Sequence, residues 1–267
     1  MSKRIFTVLL VFALLMLTAC GSTEPEEVRY YTKEMLHTFA SGGSSRSVYE
    51  YNKDWSTRKI TNYQNGEEIS QVHYEMTENG YITSGTQDGV RETMEVVITK
   101  DDQGNPIRTE QYLNGELYST SDSTYDENGN MLTYVSDIAA ADMTYRMEYT
   151  YDEAGNPTKL VSENGYSTSI TEYTYNEDDK LILEVVSTEG SDQTIRTEYT
   201  YSEDGLQETA MVYDGDVVSG KRITAYDEAG NMLLREMYDS EGELMMTTFF
   251  SYVGTDGSIS SGMSEQE

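Results

Sequence analysis

Tyrosines and carboxylates are the residues best placed to do chemistry in this chain, and they recur at fixed spacing. The 267 residues include 23 Tyr, 48 Asp plus Glu, 2 His and 1 Cys. Tyr-Asp-Glu-Ala-Gly-Asn occurs at Tyr151–Asn156 and again at Tyr226–Asn231, and Tyr125–Asn130 is a near copy. Each copy sets a carboxylate (Asp126, Asp152 or Asp227) shortly before a carboxamide (Asn130, Asn156 or Asn231). Stacked repeats would align these oxygens along one edge, and a ladder of Ca2+ sites is one use for such an edge. The competing use is structural: Asp accepts from the backbone of its own turn, and Asn follows a tight glycine. The ligand spacing is sparser than in known calcium loops, which favours turn chemistry and no cofactor. Tyrosines also come in pairs two residues apart: Tyr149 with Tyr151, Tyr173 with Tyr175, and Tyr199 with Tyr201. Exposed, such rings stack on sugars or hold a protein; buried, they are the core of a sheet. Burial is the expectation for most of them, and for Trp55, the sole tryptophan.

Catalysis has little support. His37 and His73 are far apart in sequence. Glu34-x-x-His37 has the spacing of two metal ligands on one helix, but a carboxylate-bridged metal pair needs a second copy. No nucleophile motif, phosphate loop or Cys/His cluster is present. Carboxylates are so common that any acid and base pair could be named, so a hydrolase has only their abundance behind it.

The elements that position these residues follow from the spacing. Counting from the residue four before each turn glycine gives Lys100, Tyr125, Tyr151, Tyr175, Tyr201 and Tyr226, at intervals of 25, 26, 24, 26 and 25 residues. Asp179 stands where the fourth of these turns should have its glycine. Degenerate units start at Tyr51 and Met76. A second turn signal falls halfway along most units, as at Asn65-Gly66, Asp88-Gly89 and Asn114-Gly115. Asn-Gly and Asp-Gly favour tight hairpins because both central residues reach positive φ. The Asp-Glu-x-Gly-Asn turn suits a type I turn closed by a left-handed glycine. Segments between turns alternate, as in Thr197-Glu198-Tyr199-Thr200-Tyr201, which puts Tyr on one face and Glu and Thr on the other. The fold expected is all-β: a repetitive antiparallel meander with about two strands per ~25-residue repeat. Eight units give roughly sixteen strands, strongly twisted into a curled open sheet or partial shell.

This pattern resembles the YD, or RHS-type, repeats of bacterial surface and toxin-encasing proteins. Tyr151, Asp152, Gly155 and Asn156 carry the resemblance, with their counterparts from Tyr125 and Tyr226. It covers about residues 100 to 245. The period is longer than the usual family unit, and the units are too few to enclose a toxin. What the resemblance implies is a β-hairpin array in a cell-surface context, not encapsulation.

The first residues bear on the address. Met1-Ser2-Lys3-Arg4 is basic, Ile5 to Leu17 is apolar apart from Thr7, and Leu17-Thr18-Ala19-Cys20 follows. A basic start and a short apolar run read as a secretory signal. The last four residues look like the lipobox of bacterial lipoproteins. That resemblance implies cleavage before Cys20 and a diacylglycerol on its sulfur. Each buried methylene stabilises attachment by about 0.8 kcal/mol. The domain plan is therefore a signal peptide at 1–19, a lipidated cysteine, polar tether and short helix or irregular strand at 20–45, repeats at 46–253, and a flexible tail at 254–267.

Removing residues 1–19 deletes two basic residues and no acid, so 18 basic and 48 acidic residues become 16 and 48, a net charge of −32. Nucleic acid and anionic membrane surfaces repel such a chain. The expectation is a non-catalytic, exported protein, lipid-anchored to the bacterial envelope through Cys20, whose repeat array binds an envelope glycan or protein. The alternative is a lipid carrier in which a half-shell sheet cups an acyl chain. Five Phe against 23 Tyr weigh against an oily cup.

Overall fold

Strand alternation and hairpin chemistry extend over nearly the whole described chain. The computed structural model describes residues 28–87, 90–139, 141 and 143–263. The signal segment, Cys20, residues 21–27, the Asp88-Gly89 turn, Ala140, Asp142 and residues 264–267 lie outside the described residues. The first six strands are β1 (Tyr30–Phe39), β2 (Ser44–Tyr51), β3 (Thr57–Gln64), β4 (Glu67–Thr77), β5 (Gly80–Gln87) and β6 (Val90–Lys100). Then come β7 (Pro106–Leu113), β8 (Glu116–Tyr125), β9 (Met131–Ile138), β10 (Met143–Tyr151), β11 (Pro157–Glu163) and β12 (Thr168–Tyr175). The rest are β13 (Leu181–Thr188), β14 (Thr194–Tyr201), β15 (Gln207–Asp214), β16 (Val217–Tyr226), β17 (Met232–Tyr238), β18 (Leu244–Gly254) and the short β19 (Ile259–Ser261).

Every strand pairs antiparallel with the next in sequence, and β1 also pairs with β18 from Tyr30↔Gly254 to Phe39↔Met246. The meander is therefore a closed barrel of eighteen strands, not an open curled sheet or partial shell. Closure removes both sheet edges, which would otherwise be unpaired templates for association. The two strands beyond the expected sixteen are β1 and β2. The segment read as a short helix or an irregular first strand supplies β1, which pairs with β18 on one side and β2 on the other. Ser41-Gly42-Gly43 is the β1–β2 turn, with both glycines at positive φ. In the segment read as tail, β19 folds back on Ser251–Val253 of β18.

The repeat turns have the chemistry their residues call for. In the turn at Asp152, the Gly155 N–H donates to the Asp152 carbonyl (3.2 Å) and the Asp152 N–H to the Asn156 carbonyl (3.0 Å). Gly155 has φ +89°. A register shift falls just before the turn, between Thr150 and Tyr151, and recurs at Tyr51, Tyr125, Tyr175 and Tyr226. These bulges sharpen twist and help a wide sheet to coil. At the other rim, Asn65-Gly66 and Asn114-Gly115 have positive φ at both residues, as tight hairpin turns require.

Register follows one face around the ring. Tyr149 lies opposite Leu160, Leu160 opposite Thr171, and Tyr199 opposite Ala210. This face carries the paired tyrosines, half-buried, while Tyr63, Tyr112, Tyr213 and Tyr238 lie on the opposite face. The other carries exposed Arg146, Glu148 and Glu172 and half-buried Glu198. Side chains on the concave side of a closed sheet converge and screen one another, while those on the convex side splay. The face of the paired tyrosines is thus the interior. Val96 (5% exposed) and Ala210 (0%) are the fully buried apolar residues among those described. Among the described residues there is no packed oily core. Barrels of 16–18 strands leave a channel that side chains do not fill, and substantial contacts of each strand are with its ladder neighbours. Stability lies in the ladder, in cross-strand pairs and in unit-to-unit contacts.

Candidate functional site

The two tyrosines of each pair share the interior face but are bonded differently. The second of the pair ends its strand at the repeat turn. Its hydroxyl donates to the carbonyl that opens the strand after the preceding turn: Tyr151 to Met131 (2.6 Å), Tyr175 to Pro157 (2.9 Å) and Tyr201 to Leu181 (2.8 Å); Tyr125 and Tyr252, which have no tyrosine two residues earlier, donate likewise to Pro106 (3.0 Å) and Met232 (2.9 Å). Tyr51 does the same to Thr32. These rings clasp one repeat to the one before. The bond spans 18 to 20 residues, which is one period less the turn, and that offset is the sequence signal for it.

The first of each pair sits one layer deeper. Tyr149 has no hydrogen-bond partner for its hydroxyl among the described residues, Tyr173 has Thr171 as a side-chain partner, and Tyr199 donates to Glu184 Oε2 (2.8 Å). Tyr149 stacks on Tyr151 with centroids 6.2 Å apart. Burial raises the pKa of Tyr149, Tyr151, Tyr173, Tyr175 and Tyr201, and Tyr199 is pushed up to about 12 by burial and its bond to Glu184. All six stay neutral donors at ordinary pH. Towards the opposite rim the same face turns to small polar residues, among them Ser119, Ser121 and Ser136, and buried Thr171 and Thr197. The interior is thus aromatic near the Asp-turn rim and hydroxyl-lined further in.

Trp55 is placed by a turn, not by a core. It occupies the glycine position of the first repeat turn at φ +64°. Its ring stacks on Tyr31 with centroids 4.9 Å apart at 11°. That contact offsets the strain of a bulky residue in the left-handed region.

No family model matches this chain. No curated protein matches it either. Among solved structures, the crystal structure of TcdB2-TccC3-TEV is similar over 84% of this chain at TM-score 0.41 and 11% identity. The TcdB2-TccC3 structure is similar over 84% at TM-score 0.42 and 12% identity, and this chain spans 15% of the length of each. A porin-like protein from Bacteroides uniformis ATCC 8492 is similar over 83% of this chain and 96% of its own, at TM-score 0.44 and 10% identity.

The Asp turns show what their carboxylates do. Asp126 Oδ1 accepts from the backbone N–H groups of Asn128 (2.9 Å) and Asn130 (2.8 Å), and Oδ2 from the Asn130 side chain (2.9 Å). Asp152 and Asp227 repeat the pattern with Asn156 and Asn231. The Asn130 side chain holds the Asp126 carboxyl below the usual range, and the Asn156 backbone N–H does so for Asp152. The oxygens read as calcium ligands are occupied by turn donors. Among the described residues no group of three His, Cys, Asp or Glu is arranged to hold a metal. His37 lies in a strand, its Nδ1 2.8 Å from Thr248 Oγ1, so the helical spacing to Glu34 does not arise. Burial lowers the His37 pKa. His73 is exposed, on the outer face opposite Lys59.

Proposed function

We propose that this chain is a non-enzymatic protein, lipid-anchored to the bacterial cell envelope through Cys20, that binds a glycan inside its barrel. One observation carries the reading: the face that curves inward bears the paired tyrosines, and the Tyr149 hydroxyl has no hydrogen-bond partner among the described residues. A ring with an unspent donor suits a sugar, which offers C–H groups to the aromatic face and hydroxyls to its edge. Surrounding Ser and Thr extend the polar lining. The outer face supports attachment by lipid and not by insertion. Arg146 and Glu148 project outward from the middle of β10, and Arg at the midplane of a membrane barrel is destabilising by about 2–4 kcal/mol.

The carrier reading has one observation of its own. Met35, Met246 and Phe250 share the interior face beside the β1–β18 seam. An acyl chain would lie there and not on the tyrosines.

The test is a glycan array and a fatty-acid probe, both applied to the protein lacking residues 1–20. Glycan binding that weakens about tenfold in each of Tyr149→Ala and Tyr173→Ala supports the reading. Probe uptake that is blocked by Phe250→Arg, with silence on the array, replaces it with the carrier.

A further inference from the structure

We infer that the barrel interior contains an anion subsite, built from Arg222 on β16 and Arg235 on β17, that takes the carboxylate of an acidic sugar. The inference rests on the glycan reading and narrows it to a charge class.

Cations are scarce in this chain, 18 against 48 acids. Arg46, Arg108, Arg146 and Arg196 are paired with carboxylates on the outer face. Arg222 and Arg235 instead point inward, because Thr224 is opposite Arg235 and Arg222 is two residues from Thr224 on the same face. Arg222 reaches Glu208 at 3.3 Å. Arg235 has no ion-pair partner among the described residues, although acids are in large excess. The residues are diagonal neighbours on adjacent strands, within reach of each other for long side chains.

The Arg222 guanidinium reaches Glu208 and the Tyr199 hydroxyl, yet other polar atoms here lack partners. Arg222 Nε, Arg235 Nε and Thr224 Oγ1 are buried side-chain atoms without a hydrogen bond, and no others are found among the described residues. Three such atoms on two adjacent strands mark a site that is incomplete when empty. A carboxylate drawing the guanidinium groups into the channel would relieve both. The planar fork of arginine fits a carboxylate with two parallel bonds. Rings stand beside it. The Arg222 guanidinium lies 5.9 Å from the centre of the Tyr199 ring, with Ala210 fully buried between their strands. Burial raises the pKa of Tyr226 and Tyr252, and the positive charge of Arg235 opposes that rise. A sugar ring held on these tyrosines would present its carboxylate to the arginines. Glu208 rejects an anion that reaches Arg222 alone, which leaves Arg235 as the deciding residue.

The experiment is calorimetry at 0.15 M salt with trigalacturonate and its methyl ester, in which each carboxylate is replaced by a neutral ester. The wild-type barrel, Arg235→Gln, and outer-face Arg46→Gln are compared, with thermal melts to confirm folding. The expected result is at least tenfold tighter binding of the acid than of the ester, lost in Arg235→Gln and kept in Arg46→Gln. Equal affinity for acid and ester, or an acid preference that survives Arg235→Gln, overturns the subsite and leaves the glycan reading standing. Binding of neither sugar, with an array silent to all glycans, overturns both.

Discussion

Tyr151 donates its hydroxyl to the Met131 carbonyl, whereas the hydroxyl of Tyr149, two residues earlier on the same face, has no partner among the described residues. Tyr151→Phe should therefore destabilise the barrel by about 0.5–1.5 kcal/mol, and Tyr149→Phe by less than about 0.3 kcal/mol. In a chain of this length the first corresponds to a drop of roughly 2–5 °C in melting temperature. Melts of the two variants check the division; equal losses would sink it. Spacing alone places both tyrosines of a pair on one face. It does not separate them, because the acceptor belongs to the previous repeat and is reached through strand stagger. The arginine pair was illegible for a similar reason. Arg222 and Arg235 are 13 residues apart in sequence and become neighbours only through the β16–β17 register.

At the scale of the element, the turn determines the hairpin. Asp179 occupies a turn position at φ +57° where Gly155 and Gly230 have φ +89° and +81°. Its exposed carboxylate accepts from Asn156 Nδ2 at 3.2 Å, a weak recompense. Asp179→Gly should stabilise by about 0.5 kcal/mol, the left-handed strain less the lost bond. Gly155→Ala should destabilise by about 1 kcal/mol. A Cβ at Gly155 would meet nothing nearer than 3.8 Å, so that loss is backbone strain and not crowding. Urea titrations of both variants read the signs, and a destabilised Asp179→Gly would show that the carboxylate matters more than φ. The turns were the most legible elements in the chain, since Asp, Asn and Gly act within a few residues of themselves.

For the whole molecule the decisive feature is the β1–β18 seam. Leu36 lies opposite Phe249 on the outer face of that seam. Directly opposed residues in an antiparallel ladder have Cα atoms about 4.5–5.5 Å apart, within reach of a disulfide. A Leu36→Cys, Phe249→Cys double variant of the protein lacking residues 1–20 should oxidise to an intramolecular disulfide. The only native cysteine, Cys20, is then absent. Mass spectrometry of the oxidised monomer checks closure. Free thiols or disulfide-linked dimers would mean that the two strands are separate edges.

Residue types and their period were enough to establish an antiparallel meander, two strands per unit, the turn chemistry, and the placing of both members of each tyrosine pair on one face. Those properties arise from contacts within a hairpin. Closure, the ninth strand pair from β1 and β2, and the choice of concave face came only with the tertiary structure. A strand has two faces that its own alternation treats alike. Which one turns inward depends on coiling summed over eighteen strands and on a seam joining residues more than 200 apart, and no local pattern encodes a sum of that length.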